Sequence, residues 1–123
     1  DGAALAERLN GYGIDGVRFE AATFTPTAAG DGKFSDVEVH GVRLVPETTD
    51  YDASRAAVAM LVETRAASSD EWSWRESHID RLAGTDQVRL RVEAGDDVRG
   101  VTAAWSASLA QFEGLRAPYL LYD

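Results

Sequence analysis

Two short stretches alternate apolar and polar residues with period two, and each closes on a proline. In the first, Val17, Phe19 and Ala21 stand against Arg18 and Glu20, and Pro26 follows. The second covers residues 37–45 and ends at Pro46. Both slip phase. Phe24 is out of step with Phe19, so a bulge near Ala22-Thr23, or a strand end, is needed to keep both aromatics inward. Val37 and Val39 alternate one way and Val42 and Leu44 the other, with Gly41 between them reading as a bulge. A two-stranded hairpin is marginal in water on its own, so the rest of the chain must supply helices to cover it. The expected class is α+β: a small sheet of two or three main strands packed against three to four helices.

The helical segments are visible in three- and four-residue steps. Leu5, Ala6 and Leu9 share a face that runs out at Gly11 and Gly13. Asp50-Tyr51-Asp52 leads into a helix over residues 53–67 whose middle, residues 56–62, is apolar on nearly every side and reads as largely buried. Glu71-Trp72-Ser73-Trp74-Arg75 alternates as a short strand would, and a weak helical turn follows around Ile79 and Leu82. Thr85 or Asp86 caps a short helix with Val88 and Val92 inward, ended by Gly95. Asp96-Asp97 caps the last helix, in which Val98, Val101, Trp105, Leu109 and Phe112 make one continuous stripe ended by Gly114. Pro118-Tyr119-Leu120-Leu121-Tyr122 reads as an extended apolar tail, and residues 27–32 as a glycine-rich surface loop, the most flexible point of the chain.

The 123 residues suffice for one domain, and no internal repeat or linker divides them. With 21 acidic against 12 basic residues the net charge is −9, a surface that repels phosphate backbones, so nucleic acid is not an expected partner. There is no cysteine, hence no disulfide, thiolate nucleophile or Cys-ligated zinc. No apolar run reaches the roughly 20 residues that span a bilayer, and the first residues lack the build of a signal peptide, which leaves localisation open.

The search for chemistry returns binding candidates rather than a catalytic set. His40 and His78 are far apart in sequence, no glycine-rich phosphate loop or serine-hydrolase elbow is present, and neither a metal nor a cofactor is expected. Ser77, His78 and Asp80 form no triad merely by adjacency. Glycoside hydrolysis requires two carboxylates at a fixed separation, and 21 acidic residues offer no basis for choosing a pair. His40 with Glu38 and, beyond the bulge, Arg43 read either as a polar cleft at the sheet or as an exposed strand face with satisfied charges. Trp72 and Trp74, on one face if extended, are core residues or a sugar-stacking platform; Trp105, in the helical stripe, reads as core.

The order of motifs nearly end to end resembles the C-terminal region of the exo-β-N-acetylmuramidase family. Leu9-Asn10, Gly16-Val17-Arg18-Phe19 and Phe24-Thr25-Pro26-Thr27 are similar to the family's strand running into a proline turn. Lys33-Phe34 before Val39-His40-Gly41-Val42 is similar to a pattern in which lysine and an aromatic precede a cysteine, then glycine and valine; Val39 takes the cysteine's place, and Phe34 stands where many relatives carry tyrosine. Trp74-Arg75, Leu82-Ala83-Gly84-Thr85-Asp86, Gly95, Trp105, Phe112 and Pro118-Tyr119-Leu120-Leu121-Tyr122 follow in the family's order.

The resemblance implies a bacterial glycoside hydrolase that removes terminal N-acetylmuramic acid from the non-reducing end of peptidoglycan fragments in cell-wall turnover, in a periplasmic or extracellular setting. It further implies that the catalytic carboxylate belongs to an upstream Rossmann-like domain absent from this chain. Residues 1–123 are then a single C-terminal accessory domain that is not catalytic alone. Its partners are that upstream domain and a muropeptide or other sugar containing N-acetylmuramic acid. On this reading residues 24–34 face the cleft, Thr25 and Thr27 offer hydroxyls, Lys33 pairs with the lactyl carboxylate, and His40 and Arg43 complete the binding set. The competing reading is a non-catalytic carbohydrate-binding or protein-interaction module.

Overall fold

The computed structural model describes residues 1–28, 30, 32–68 and 70–121. Ala29 and Asp31 of the expected loop and Tyr122 of the expected tail lie outside them. Two compact units divide the chain, Asp1–Trp72 and Ser73–Asp123.

The first unit is built from α1 (Gly2–Asn10), β1 (Val17–Phe24), β2 (Val39–Pro46) and α2 (Ala53–Ala67). The Asp1 carboxylate starts α1 by accepting from Ala3 N and Ala4 N at 3.0 and 3.2 Å, which satisfies two otherwise unpaired N–H groups. Leu5, Ala6 and Leu9 then recur on one side of α1 and are buried, as their spacing implies. Burying one such leucine contributes about 1.5–3 kcal/mol. Ile14, Val17 and Phe19, with Ala56, Val58 and Ala59 of α2, complete the core.

Strands β1 and β2 pair antiparallel from Val17↔Pro46 to Phe24↔Val39 without interruption. Neither expected bulge forms. Ala22 faces Gly41 directly, so Phe24 stays in the phase opposite to Phe19 and is 55% exposed, against 4% for Phe19. Gly41 serves another purpose. The first turn of α1 comes so close to the strand that a Cβ on Gly2 would collide with the Gly41 carbonyl. At the base of the hairpin Gly16 has φ +76°, and its carbonyl accepts from Glu47 N (2.8 Å) and Thr48 N (3.2 Å). A side chain there would strike Thr48 as well as strain the backbone.

Asn10 joins helix to sheet. Its Nδ2 donates to Phe19 O and its Oδ1 accepts from Phe19 N, both at 2.8 Å, so one carboxamide takes the place of a neighbouring strand at that residue. On the other side of α1, Glu63 of α2 accepts from Arg8 Nε (2.8 Å) and Tyr12 OH (2.7 Å). Helix α2 spans the expected residues, but only Ala56, Val58 and Ala59 are buried; its remaining apolar middle is half-buried, apart from exposed Ala57.

The second unit contains α3 (Glu76–Ala83), α4 (Gln87–Ala94), α5 (Val98–Thr102), α6 (Trp105–Arg116) and a 3-10 turn at Ala117–Tyr119. Val88, Val92, Val98 and Val101 are buried, and Gly84 and Gly95 end α3 and α4 in the left-handed conformation. Arg89 clasps Asp80 with two bonds, Nε to Oδ1 at 3.0 Å and Nη2 to Oδ2 at 2.9 Å, tying α4 to α3.

Three expectations for the chain from residue 71 onward are corrected. Residues 71–75 form no strand. The single last helix is broken: Asp97 caps α5 by accepting from Gly100 N (2.8 Å), the chain turns at Ala103-Ala104, and α6 starts anew at Trp105. Gly114 does not stop α6, which runs to Arg116, and Pro118 lies in the 3-10 turn rather than in an extended tail. The break divides the stripe into buried Val98 and Val101, half-buried Trp105, and exposed Leu109 and Phe112. Helix content thus exceeds the expected three to four, while the α+β class with two strands holds.

Removing the Asn10 amide strands a donor and an acceptor of Phe19, each costing about 1–3 kcal/mol when left unmet. Asn10→Ala is therefore expected to lower the unfolding free energy in urea by about 2 kcal/mol or more, and Asn10→Asp to lose most of this too, since a carboxylate cannot donate to Phe19 O. A change under about 0.5 kcal/mol, the scale of an ordinary surface substitution, would show that the pairing is not needed.

The hydrogen bonds from Arg89, reinforced by its charge and opposed by desolvation, hold the Asp80 carboxyl below its ordinary range. A carboxyl with a depressed folded-state pKa stabilises fully above its unfolded value, about 3.9, and loses that contribution as pH falls from there through the folded value. The melting temperature of Asp80→Asn is expected to lie below that of the parent chain at pH 6, with the gap narrowing below about pH 4. A gap constant over that range would contradict the account.

Candidate functional site

The hairpin is short and regular, but its connection is neither. Residues 25–38 link Phe24 to Val39, which face each other directly across the sheet. Two residues would be enough to close such a pair. Within the connection Ala28, Phe34 and Asp36 have φ of 51°, 55° and 59°, the left-handed region, which costs a residue with a side chain about 1–2 kcal/mol. Asp36 N donates to Pro26 O at 2.8 Å, joining the two ends of the loop, and Val37 N donates to Phe34 O at 3.1 Å in a local turn. Phe34 and Val37 are 64% and 53% exposed, beside exposed Lys33. Strain of this kind concentrates at binding sites, where the backbone is held for what it presents.

Thr25, Thr27 and Lys33 all belong to this connection and are exposed. His40 stands one residue into β2, across from Thr23, with its Nδ1 3.1 Å from Thr23 Oγ1 and its Nε2 3.8 Å from Glu38 Oε1. The first contact orients the ring, and the tautomer decides which atom donates. Thr25, Thr27, Lys33 and His40 therefore share one end of the hairpin. Arg43 does not join them. The bulge at Gly41 that would have brought it round is absent, so Arg43, three residues from His40, points to the other face and sits opposite Glu20. That face is charged: Arg18 pairs with Glu20 and, at 3.2 Å, with Glu47.

His40 also lines two adjoining grooves. One, of about 350 Å³, lies between the first turn of α1 and the Ala21–Thr23 segment of β1. The other, of about 390 Å³, has Leu5, Phe24, Val42 and Met60 for its apolar wall and Thr64 and Ser68 at the end of α2 for hydroxyls. Sequence reasoning missed the contribution of α2. Met60 and Thr64 are one turn apart, but nothing in the pattern says that this turn meets the far end of the hairpin. Phe24 was visible as an aromatic out of phase; its misfit places it at the groove instead of in the core.

Trp72 and Trp74 are half-buried and share no strand face, because their segment is not extended into a strand. Among the described residues no three His, Asp or Glu side chains come together to hold a metal ion. Among the described residues no helix is long and apolar enough to cross a membrane.

Comparison with known proteins gives a relative and a family. The chain is 29% identical over 120 residues to peptidoglycan beta-N-acetylmuramidase NamZ of Bacillus subtilis (strain 168), an alignment that takes in 96% of this chain and 28% of that protein. The chain thus spans under a third of its relative's length. No solved structure matches. The model of the C-terminal region of exo-beta-N-acetylmuramidase NamZ matches residues 1–122, across both units. This chain is therefore a member of the exo-beta-N-acetylmuramidase NamZ C-terminal family.

Proposed function

We propose that the chain is the accessory part of a peptidoglycan exo-β-N-acetylmuramidase, shaping the substrate cleft while a preceding catalytic domain of the same protein supplies the carboxylate that cleaves terminal N-acetylmuramic acid. The observation that carries this is the 14-residue connection over residues 25–38, where a two-residue turn would serve. Its backbone is strained, and it displays a cation, an aromatic ring and two threonines at the hairpin end where His40 stands. Family membership supports the substrate class.

The division of labour follows from what the first unit offers. Lys33 is a cation of the kind that meets a lactyl carboxylate, Thr25 and Thr27 are suited to sugar hydroxyls, and Phe34 offers a ring face to the C–H side of a pyranose. His40, oriented by Thr23, adds a polar edge beside an apolar groove suited to an N-acetyl methyl group. Arg43 is left out of this set because it projects from the opposite face. Binding groups of this sort act on the position of the substrate, and their loss is felt where substrate and transition state are held alike.

In the longer protein, Lys33→Ala is expected to reduce kcat/KM for a chromogenic N-acetylmuramide about 10- to 100-fold, mainly through KM, the scale of one lost charge-assisted contact. Unchanged kcat/KM would remove the loop from the cleft. Hydrolysis by the 123-residue chain alone would overturn the division of labour.

A further inference from the structure

The second unit holds a groove of about 360 Å³ between the α3–α4 connection, α4 and the start of α6. This is within the range of small-molecule sites, about 300–1,000 Å³. Thr85, Gln87, Arg91, Trp105 and Ser108 supply its polar and aromatic lining. The helix break explains the place of Trp105. Had the helix run on from Val98 and Val101, both 1% exposed, the three- and four-residue steps would have carried Trp105 into the same buried stripe. Thr102 instead ends α5, two residues turn, and Trp105 opens α6 half-exposed at the groove wall. A local departure from an otherwise consistent pattern is where function is to be sought.

The polar groups are arranged around that ring with donors to spare. Arg91 spends Nη1 on Asp96 Oδ2 (3.2 Å) and Gly100 O (3.3 Å), which fixes the guanidinium and leaves Nε and Nη2 as the parallel pair that fits a carboxylate. Gln87 gives Nε2 to Asp86 Oδ1 at 3.0 Å and keeps its carbonyl oxygen as an acceptor. Thr85 Oγ1 accepts from Gln87 N at 3.2 Å, so its hydroxyl proton remains to donate. A flat indole, a carboxylate-ready guanidinium, an amide acceptor and a hydroxyl donor around one cavity are the groups that recognise an acidic sugar. The geometry points to a second saccharide subsite here, binding a carboxylate-bearing amino sugar with its ring stacked on Trp105 and its acid on Nε and Nη2 of Arg91. The choice of sugar rests on the peptidoglycan reading proposed above; the site itself involves none of the hairpin residues.

The test titrates the 123-residue chain with N-acetylmuramic acid and, separately, with N-acetylglucosamine, the same ring without the lactyl acid. The indole N–H signals of the three tryptophans are followed by NMR, that of Trp105 being assigned through Trp105→Phe. N-acetylmuramic acid is expected to shift the Trp105 signal saturably and to bind about tenfold or more tightly than N-acetylglucosamine. Arg91→Met should erase the difference between the two sugars, and Ser108→Phe, which fills the groove from α6, should abolish both responses. A silent Trp105 signal, equal affinities for the two sugars, or binding unaffected by Ser108→Phe would overturn the proposal. If circular dichroism shows Arg91→Met unfolded, Ser108→Phe decides alone. The two readings fail separately: hydrolysis lost with Lys33→Ala beside a silent Trp105 sinks only the subsite, and a responding Trp105 beside unimpaired hydrolysis by Lys33→Ala in the longer protein sinks only the cleft role of the loop.

Discussion

One carboxamide determines where the first helix lies on the sheet. Asn10 meets both the N–H and the C=O of Phe19, so the helix that ends at Asn10 is anchored at one residue of the strand edge. With that end held, the first turn of α1 lies against the Gly41 carbonyl, a contact that only a residue without a side chain at position 2 allows. The stretch between the two fixed points carries Leu5, Ala6 and Leu9 into the core, while Arg8 and Tyr12 reach Glu63 on α2. A two-stranded sheet gains its partner in this way, through hydrogen bonds at its edge and apolar burial, and the hairpin end is left free to carry the long connection.

Much of this was legible in the residues. The period-two runs, the alanine-rich helix from Ala53, the caps at Asp52 and Asp97 and the left-handed glycine after α4 all appear where local chemistry places them. The errors share a cause. A bulge near Ala22-Thr23, or a strand end, would bury Phe24, and a bulge at Gly41 would keep Val42 in step with Val39, if every large apolar residue of a strand went inward. The structure instead leaves Phe24 half in solvent beside a groove. The same assumption joined α5 to α6. Val98 and Val101 are core, but Leu109 and Phe112 are more than half exposed, and an apolar stripe alone does not say which of its residues have anything to pack against.

The candidate site was legible in part. Thr25, Thr27, Lys33 and His40 gather at one end of the hairpin because residues 24 and 39 pair, a consequence of register that the sequence suggests but does not specify. Without a bulge at Gly41, Arg43 stands opposite Glu20 on the other face of the sheet. Met60, Thr64 and Ser68 carry no local signal, since only the packing of α1 brings the end of α2 to the hairpin. The left-handed conformation of Phe34 is likewise invisible beforehand, because an aromatic residue rarely takes a positive φ. The proposed site thus centres on the feature least visible in the residues: a strained loop where a tight turn would have been stable.

The most direct test replaces residues 25–38 in the longer protein with Asn-Gly, the two-residue turn that the facing pair Phe24 and Val39 can accept. Urea unfolding should show a hairpin region at least as stable as before, since about 1–2 kcal/mol of strain at each left-handed residue is removed. Release of N-acetylmuramic acid from peptidoglycan fragments should fall by two orders of magnitude or more, the combined effect of several lost contacts each worth about tenfold. Full activity in a stably folded protein with the tight turn would contradict the claim that this connection exists to shape the substrate cleft.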